Sequence, residues 1–99
     1  MRKGRRNRHR ALLTRLQRHL EISLDSLRPR RIRTRSARYA AALAEKLGLI
    51  PRPKVCAWCR RHGRLERHHW DYNEPLNVTF LCVECHDLAD AMVLRAASA

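Results

Sequence analysis

The stretch Val55–Asp90, VCAWCRRHGRLERHHWDYNEPLNVTFLCVECHDLAD, decides how this chain is read. It holds all four cysteines of the 99 residues, as Cys56-x2-Cys59 and Cys82-x2-Cys85, with 22 residues between the pairs. Each CxxC knuckle can present two thiolates to one ion, and two knuckles make a closed four-sulfur site that suits structural zinc. Two disulfides are the competing reading. The basic start is not followed by the apolar run of a secretion signal, so a reducing compartment and free thiolates are expected. Thiol redox catalysis would need a thioredoxin-like frame that this length cannot supply. Residues 54–96 are close to the size, about 40 residues, at which a domain usually needs a metal or disulfides to fold. Zinc binding is therefore expected to be part of folding.

The histidines between and after the cysteine pairs are a second signal. His68 and His69 follow a short β-prone segment, Arg64–Arg67, and Asn77 leads into another, Val78–Leu81. His86 follows Cys85 at the start of a helix expected to run to about Ala96. Adjacent residues in a strand point to opposite sides, so His68 and His69 face different surroundings. Asp90 lies four residues after His86 and shares its helical face. Plainer readings stand beside these. His68 or His69 could cap the knuckle or pack beside Trp70, and His86 could donate to a zinc-bound sulfur. Asp90 could be a solvated helix residue, with Asp87 serving in its place. Asp71 and Tyr72 are expected to fix the turn before Pro75, and His62-Gly63 the turn before the first strand. Trp58 and Trp70 are expected in the core rather than as base-stacking platforms.

Outward from this stretch the charge changes sharply. Residues 1–54 carry 17 of the 22 Lys and Arg but 3 of the 9 Asp and Glu, leaving 5 and 6 for residues 55–99. A half this basic is built to meet polyanions, nucleic acid before anionic membrane. An Arg-rich, acid-poor start also has the composition of an organelle transit peptide. With one Phe, two Tyr and two Trp, the chain is too poor in aromatics for a large core, which argues against a Rossmann enzyme, barrel or sandwich. No run approaches the roughly 18 apolar residues of a membrane span.

Residues 1–36 read as a basic arm, with residues 1–10 disordered when free. An amphipathic helix is expected over residues 11–27, because Leu13, Leu16, Leu20, Leu24 and Leu27 fall on one face. The stripe should pack on the rest of the fold; a homodimer seam is the alternative. Arg28-Pro29 should end that helix, and an Arg-rich linker follows. Residues 37–53 read as a short Ala-rich helix over 37–47 and a lead-in, with Ser36 as N-cap, Gly48 at the C′ position and Tyr39, Leu43 and Leu47 on the apolar face. The phosphate-gripping candidates are Arg5, Arg6, Arg8, Arg10, Arg30, Arg31, Arg33, Arg35 and Arg38.

The order strand with paired His, loop, strand, helix with His resembles the HNH family and its ββα-metal fold, with His69, Asn77 and His86 as the lettered residues. The Asn77-x4-Cys82-x2-Cys85-His86 run is similar to the zinc-knuckle branch of that family. A narrower resemblance is to small, mostly phage-encoded HNH-like zinc proteins sharing HH-x-DY-x2-PL-x-V-x2-LC-x2-CH. Here that run is His68-His69, Asp71-Tyr72, Pro75-Leu76, Val78, Leu81-Cys82 and Cys85-His86. The likeness covers about residues 37–90 and not the amino-terminal arm. It implies an α+β chain, with a helical basic arm and a small zinc-stabilised ββα domain, HNH-like or treble-clef-like, over 54–96. It further implies His68 and His86 as ligands of a second, catalytic metal such as Mg²⁺ or Mn²⁺, with Asp90 as a further ligand. His69 would be the general base and Asn77 the residue that orients it.

Two functions follow as expectations. One is a metal-dependent DNA endonuclease or nickase, in which the metal holds the phosphate and a base activates water. The other is a non-catalytic zinc-finger protein that binds DNA or RNA, regulatory or within a nucleoprotein assembly. DNA is the favoured partner and RNA the alternative, with no role for membrane. The setting implied is the cytoplasm of a bacterial or phage-infected cell, at the nucleoid. The paired histidines favour the enzyme, since a structural finger with four cysteines has no need of both.

Overall fold

The computed structural model of the protein describes residues 2–98 of the chain, with side chains described for residues 7–95. It is α+β: helices α1 (Arg2–Leu24), α2 (Arg30–Lys46) and α3 (Val83–Ser98), and an antiparallel pair of strands, β1 (Glu66–His69) and β2 (Val78–Leu81). The chain divides into two compact units. The first is residues 1–51 with the loop 71–77; the second is residues 52–70 with 78–99. The loop between the strands therefore belongs with the helices, not with the domain expected over 54–96.

The first unit is an α-helical hairpin. Helix α1 extends through the basic start that reads as a disordered arm, because no proline interrupts residues 1–28 and Arg and Leu are good helix formers. It stops at Leu24, short of the expected Leu27, because Asp25 turns the chain. The Asp25 carboxylate accepts the Leu27 amide at 3.0 Å, and its carbonyl accepts the Arg28 amide at 3.1 Å. Side chains of this type compete with the helix for backbone groups. Pro29 opens α2 rather than merely closing α1. Its carbonyl accepts from Ile32 and Arg33, and its missing N–H is one that no helix start needs. The Arg-rich segment expected as linker is thus the first two turns of α2. Ser36 lies buried inside that helix, not at its cap, with Oγ 3.3 Å from His19 Nδ1.

The leucine stripe is only partly the packed face. Leu16 is buried and Leu12 and Leu20 pack beside it, whereas Leu13 and Leu24 are exposed and Leu27 is 92% exposed. Opposite them α2 contributes Ala40, Leu43 and Ala44, and the alanines allow close approach of the two helices. Tyr39, expected on this face, is exposed and lies against the His19 ring. The end of α2 follows its sequence signal. Gly48, at φ +78°, donates to Glu45, and Leu49 donates to Ala44 at 2.8 Å, satisfying the last carbonyls in a Schellman motif.

The loop 71–77 is tied by Asp71, whose carboxylate accepts the Asn73 amide at 2.8 Å and whose carbonyl accepts Glu74. Arg33 donates to Asn73 Oδ1 and to the Ser23 carbonyl, and Arg38 donates to the Tyr72 hydroxyl while its guanidinium lies over that ring.

The second unit is built on few apolar side chains: Leu65, Phe80, Leu81 and Ala89, with Cys56 and Cys82. Glu66 pairs with Leu81 and His69 with Val78 at the two ends of the ladder. The first knuckle hangs on the sheet through the Ala57 amide, which donates to the Phe80 carbonyl at 3.0 Å. Helix α3 begins directly after Cys82, whose carbonyl accepts the His86 amide. The second CxxC is therefore its first turn, and α3 starts earlier than the sequence suggests.

Candidate functional site

The four cysteines are free thiols that converge. Their sulfur atoms all lie within 4.8 Å of one another, and Cys59 Sγ is 3.7 Å from Cys82 Sγ. A disulfide needs about 2.05 Å. Sulfurs held about 2.3 Å from one tetrahedral ion stand roughly 3.8 Å apart. The spacing across the two knuckles fits zinc and not a cystine. In the first knuckle Arg60, at φ +64°, reverses the chain; its amide donates to the Cys56 carbonyl, and the Cys56 amide to the Arg61 carbonyl. The Trp58 amide points at Cys56 Sγ, 3.4 Å away.

The thiols are tuned against one another. Burial alone would push Cys56 up, but backbone amides of Cys59, Cys82 and Trp58 outweigh it and bring the thiol down to about 6. Sharing a proton with Cys82, reinforced by burial, pushes Cys85 up to about 12. Four sulfurs this close cannot all ionise unaided. A dication among them supplies the charge that lets every thiol lose its proton.

A second donor group lies in the same unit. One donor atom from each of His68, His86 and Asp90 falls within 4.8 Å of the others. His68 Nδ1 is 3.2 Å and His86 Nε2 3.6 Å from the same Asp90 oxygen. Strand β1 delivers His68 and helix α3 delivers the other two, one turn apart. The remaining nitrogen of His86, Nδ1, is 2.9 Å from Glu66 Oε1. That contact holds the ring with Nε2 on the side of Asp90. A carboxylate behind a histidine in this way is a frequent support of metal ligands. Both His86 nitrogens thus face carboxylates, and the alternative in which His86 supports a cysteine sulfur is not the arrangement found.

His68 is buried, edge-on to Trp70 with ring centroids 4.4 Å apart, and its Nε2 meets no hydrogen-bond partner among the described residues. Burial, helped by the nearby His86, holds its imidazolium below the ordinary value of 6.5 against the pull of Asp90. The neutral ring keeps a lone pair available to an ion. His68, with Nδ1 toward Asp90, His86, aligned by Glu66, and Asp90 between them form a donor set that could hold a divalent cation.

The other sequence candidates fall elsewhere. His69 is 5% exposed, on the strand face away from His68, and is not a member of either donor group. Asn77 is exposed in the loop of the first unit, donates its amide to the Glu74 carbonyl and borders a shallow depression with Leu20, Leu24 and Pro75. Asp90, read as a ligand or as a solvated residue, is exposed yet faces both histidines. Among the basic candidates, Arg31, Arg35 and Arg38 are exposed at i, i+4 and i+7 on α2, one helical face. Arg8, Arg10 and Arg30 are also exposed, while Arg33 is engaged by Ser23 and Asn73. The side chains of Arg5 and Arg6 lie outside those described. Trp58 and Trp70, expected in the core, are 42% and 44% exposed.

Glu66 is the residue that sequence reasoning missed. Its only sequence signal is position: two residues before His68 in a strand, and so on the same face. No helix among the described residues is long and apolar enough to cross a membrane. No family model, no curated protein and no solved structure matches the chain.

Proposed function

We propose that this chain is a nucleic-acid-binding, HNH-like zinc protein that hydrolyses phosphodiester bonds with a second metal ion, as a DNA endonuclease or nickase. The observation that carries the reading is the convergence of His68, His86 and Asp90, with Glu66 behind His86, at a place distinct from the four cysteines. A structural zinc site is complete with four sulfurs, so this second donor set calls for another role. Two imidazoles and one carboxylate leave coordination positions open and suit a first-row transition ion such as Mn²⁺ better than Mg²⁺, which prefers oxygen ligands. Bound there, such an ion would supply charge stabilisation at a phosphoryl oxygen. The basic residues of α1 and the Arg31, Arg35, Arg38 face of α2 supply backbone affinity without sequence information.

One observation favours a second reading, the non-catalytic binder: the candidate base His69 is buried, whereas a base must reach a water at the phosphate. Supercoiled-plasmid nicking with Mn²⁺ or Mg²⁺ separates the two. Zinc-loaded wild type should nick, and His86→Ala should not, while keeping its cysteine-bound zinc. His69→Ala then reports whether that ring acts as base. Retarded plasmid with no nick in any variant would leave a zinc-finger binder, to be tried next with RNA.

A further inference from the structure

Trp58 and Trp70 form a ledge on the second unit. Their ring centroids are 5.9 Å apart at 35°, and each indole is more than two-fifths exposed. The Trp58 backbone and the Trp70 indole are each anchored. Trp58 sits inside the first knuckle, its amide on Cys56 Sγ, and the Trp70 indole N–H donates to Thr79 Oγ1 at 3.2 Å. The Trp70 ring also meets the His68 ring edge-on, with centroids 4.4 Å apart. Two large rigid aromatics held half in water beside a candidate metal ligand are a costly exposure for a unit with so few apolar side chains. In sequence the first knuckle is cationic: Arg60 and Arg61 follow Trp58 and Arg64 precedes β1, all three exposed, with Arg64 3.9 Å from the Glu66 carboxylate.

We infer that the Trp58–Trp70 ledge, with the exposed Arg60 and Arg61 of the same knuckle, takes the unstacked bases of a single-stranded nucleic acid. The inference rests on the nucleic-acid reading above and names its substrate class. Bases in a duplex are stacked on one another and cannot lie on an indole, whereas a single strand offers a π-face at every nucleotide. The indoles are too close to admit a base between them, which would need roughly twice the 3.4 Å stacking spacing. A base therefore stacks on the exposed part of the ledge, with Trp58, which has no second ring contact among the described residues, as the main platform. The arginines match the phosphates that accompany each base, and Trp70 sets the stacked nucleotide next to His68. A frayed, looped or displaced strand would thus be bound in preference to an intact helix.

The test uses the full, zinc-loaded chain and its own tryptophan emission. A twelve-nucleotide oligo-dT should quench that emission and shield it from acrylamide, and a twelve-base-pair duplex should do neither at equal site occupancy. An oligo-U of the same length distinguishes an RNA preference from a DNA one. Trp58→Ala should weaken single-strand binding by at least about 5-fold, the low end for loss of one stacked base. Its slope of log affinity against log salt should be unchanged, because no phosphate contact is lost. Arg61→Ala should instead lower the slope. Should Trp58→Ala lose zinc, Trp58→Phe keeps a smaller ring in the knuckle and should bind at an intermediate level, and the acrylamide comparison needs no variant. Equal quenching by duplex, or wild-type affinity in a zinc-loaded Trp58→Ala chain, overturns the ledge. Either result leaves plasmid nicking untouched, so the ledge can fail while the nuclease reading stands, and the reverse.

Discussion

The helical hairpin is filled by Leu16, Ala40, Leu43 and Ala44, with Leu12, Leu20, Leu47 and Ile50 around them. The cysteine-bearing unit buries two cysteines and two histidines alongside Leu65, Phe80, Leu81 and Ala89. The hairpin is held by ordinary apolar contact between two consecutive helices, with only the small hydroxyls of Ser23 and Ser36 buried beside it among the described residues. In the second unit, polar atoms that are expensive to bury occupy much of the interior. For the cysteines, an ion held by all four sulfurs turns that cost into folding energy. The contrast teaches where specificity lies: the hairpin needs side chains of the right size, and the second unit needs particular atoms at particular distances.

Removal of zinc is the largest expected way to separate the two. Apparent binding energies of structural zinc run to about 10–16 kcal/mol at pH 7, more than a domain of this size gains from its core. Excess chelator should abolish near-ultraviolet dichroism from Trp58 and Trp70 while most far-ultraviolet helix signal, from α1 and α2, survives. Cys82→Ser should behave the same way without chelator. Retention of the tryptophan signal after zinc is shown to be gone would break the comparison.

Leu43→Ala attacks the other side. Loss of a buried leucine costs about 2–5 kcal/mol, and the hairpin's thermal transition should fall accordingly with zinc stoichiometry still one per chain. A smaller effect is expected from Glu66→Gln. It should leave the four-cysteine zinc in place but weaken Mn²⁺ binding at His68, His86 and Asp90 by about 10- to 100-fold, read by calorimetry. Unchanged Mn²⁺ affinity would reduce Glu66 to a surface partner of His86.

The smallest effect is the hairpin's share of the pH dependence, which comes from His19. Burial first, then Arg15 and Arg18, hold the His19 imidazolium below its ordinary 6.5. Between the folded value and 6.5 the unfolded chain binds more protons than the folded one. The contribution is fully present above pH 6.5 and is lost as pH falls through the folded value. Urea midpoints of the hairpin's transition, followed by far-ultraviolet dichroism, should decline over that window, and His19→Gln should reduce the decline, leaving the share that His68 contributes in the second unit.

What could be read from sequence divides along the same line. The cysteines and Gly48 were legible because their signals are local: a fixed spacing in one case, a left-handed backbone position in the other. The extent of α2 was not, because Arg30–Arg38 has good helix propensity but the look of a solvated charge run. Leu12 took the place of Leu13 in the packed line because two adjacent leucines leave the face undecided until a partner helix arrives. Glu66 carries no motif, and its meeting with His86 depends on how a strand lies on a helix. The exposure of both tryptophans likewise depends on tertiary placement that composition does not encode.

The loop 71–77 interrupts the second unit in sequence while belonging to the first. The chain therefore passes from one unit to the other three times, after residues 51, 70 and 77. During synthesis the two helices can pair as soon as residue 51 is free, since proteins emerge amino terminus first. Arg33 and Arg38 then wait for Asn73 and Tyr72, some 40 and 34 residues further along. Cys56 and Cys59 wait for Cys85, the last of the four to leave the ribosome. The nascent chain thus holds a hairpin that can pair early but is completed late, and two pairs of thiols that mature late and together. A single protease cut in the loop would leave both units missing a part, so neither could be released whole as a separate fragment.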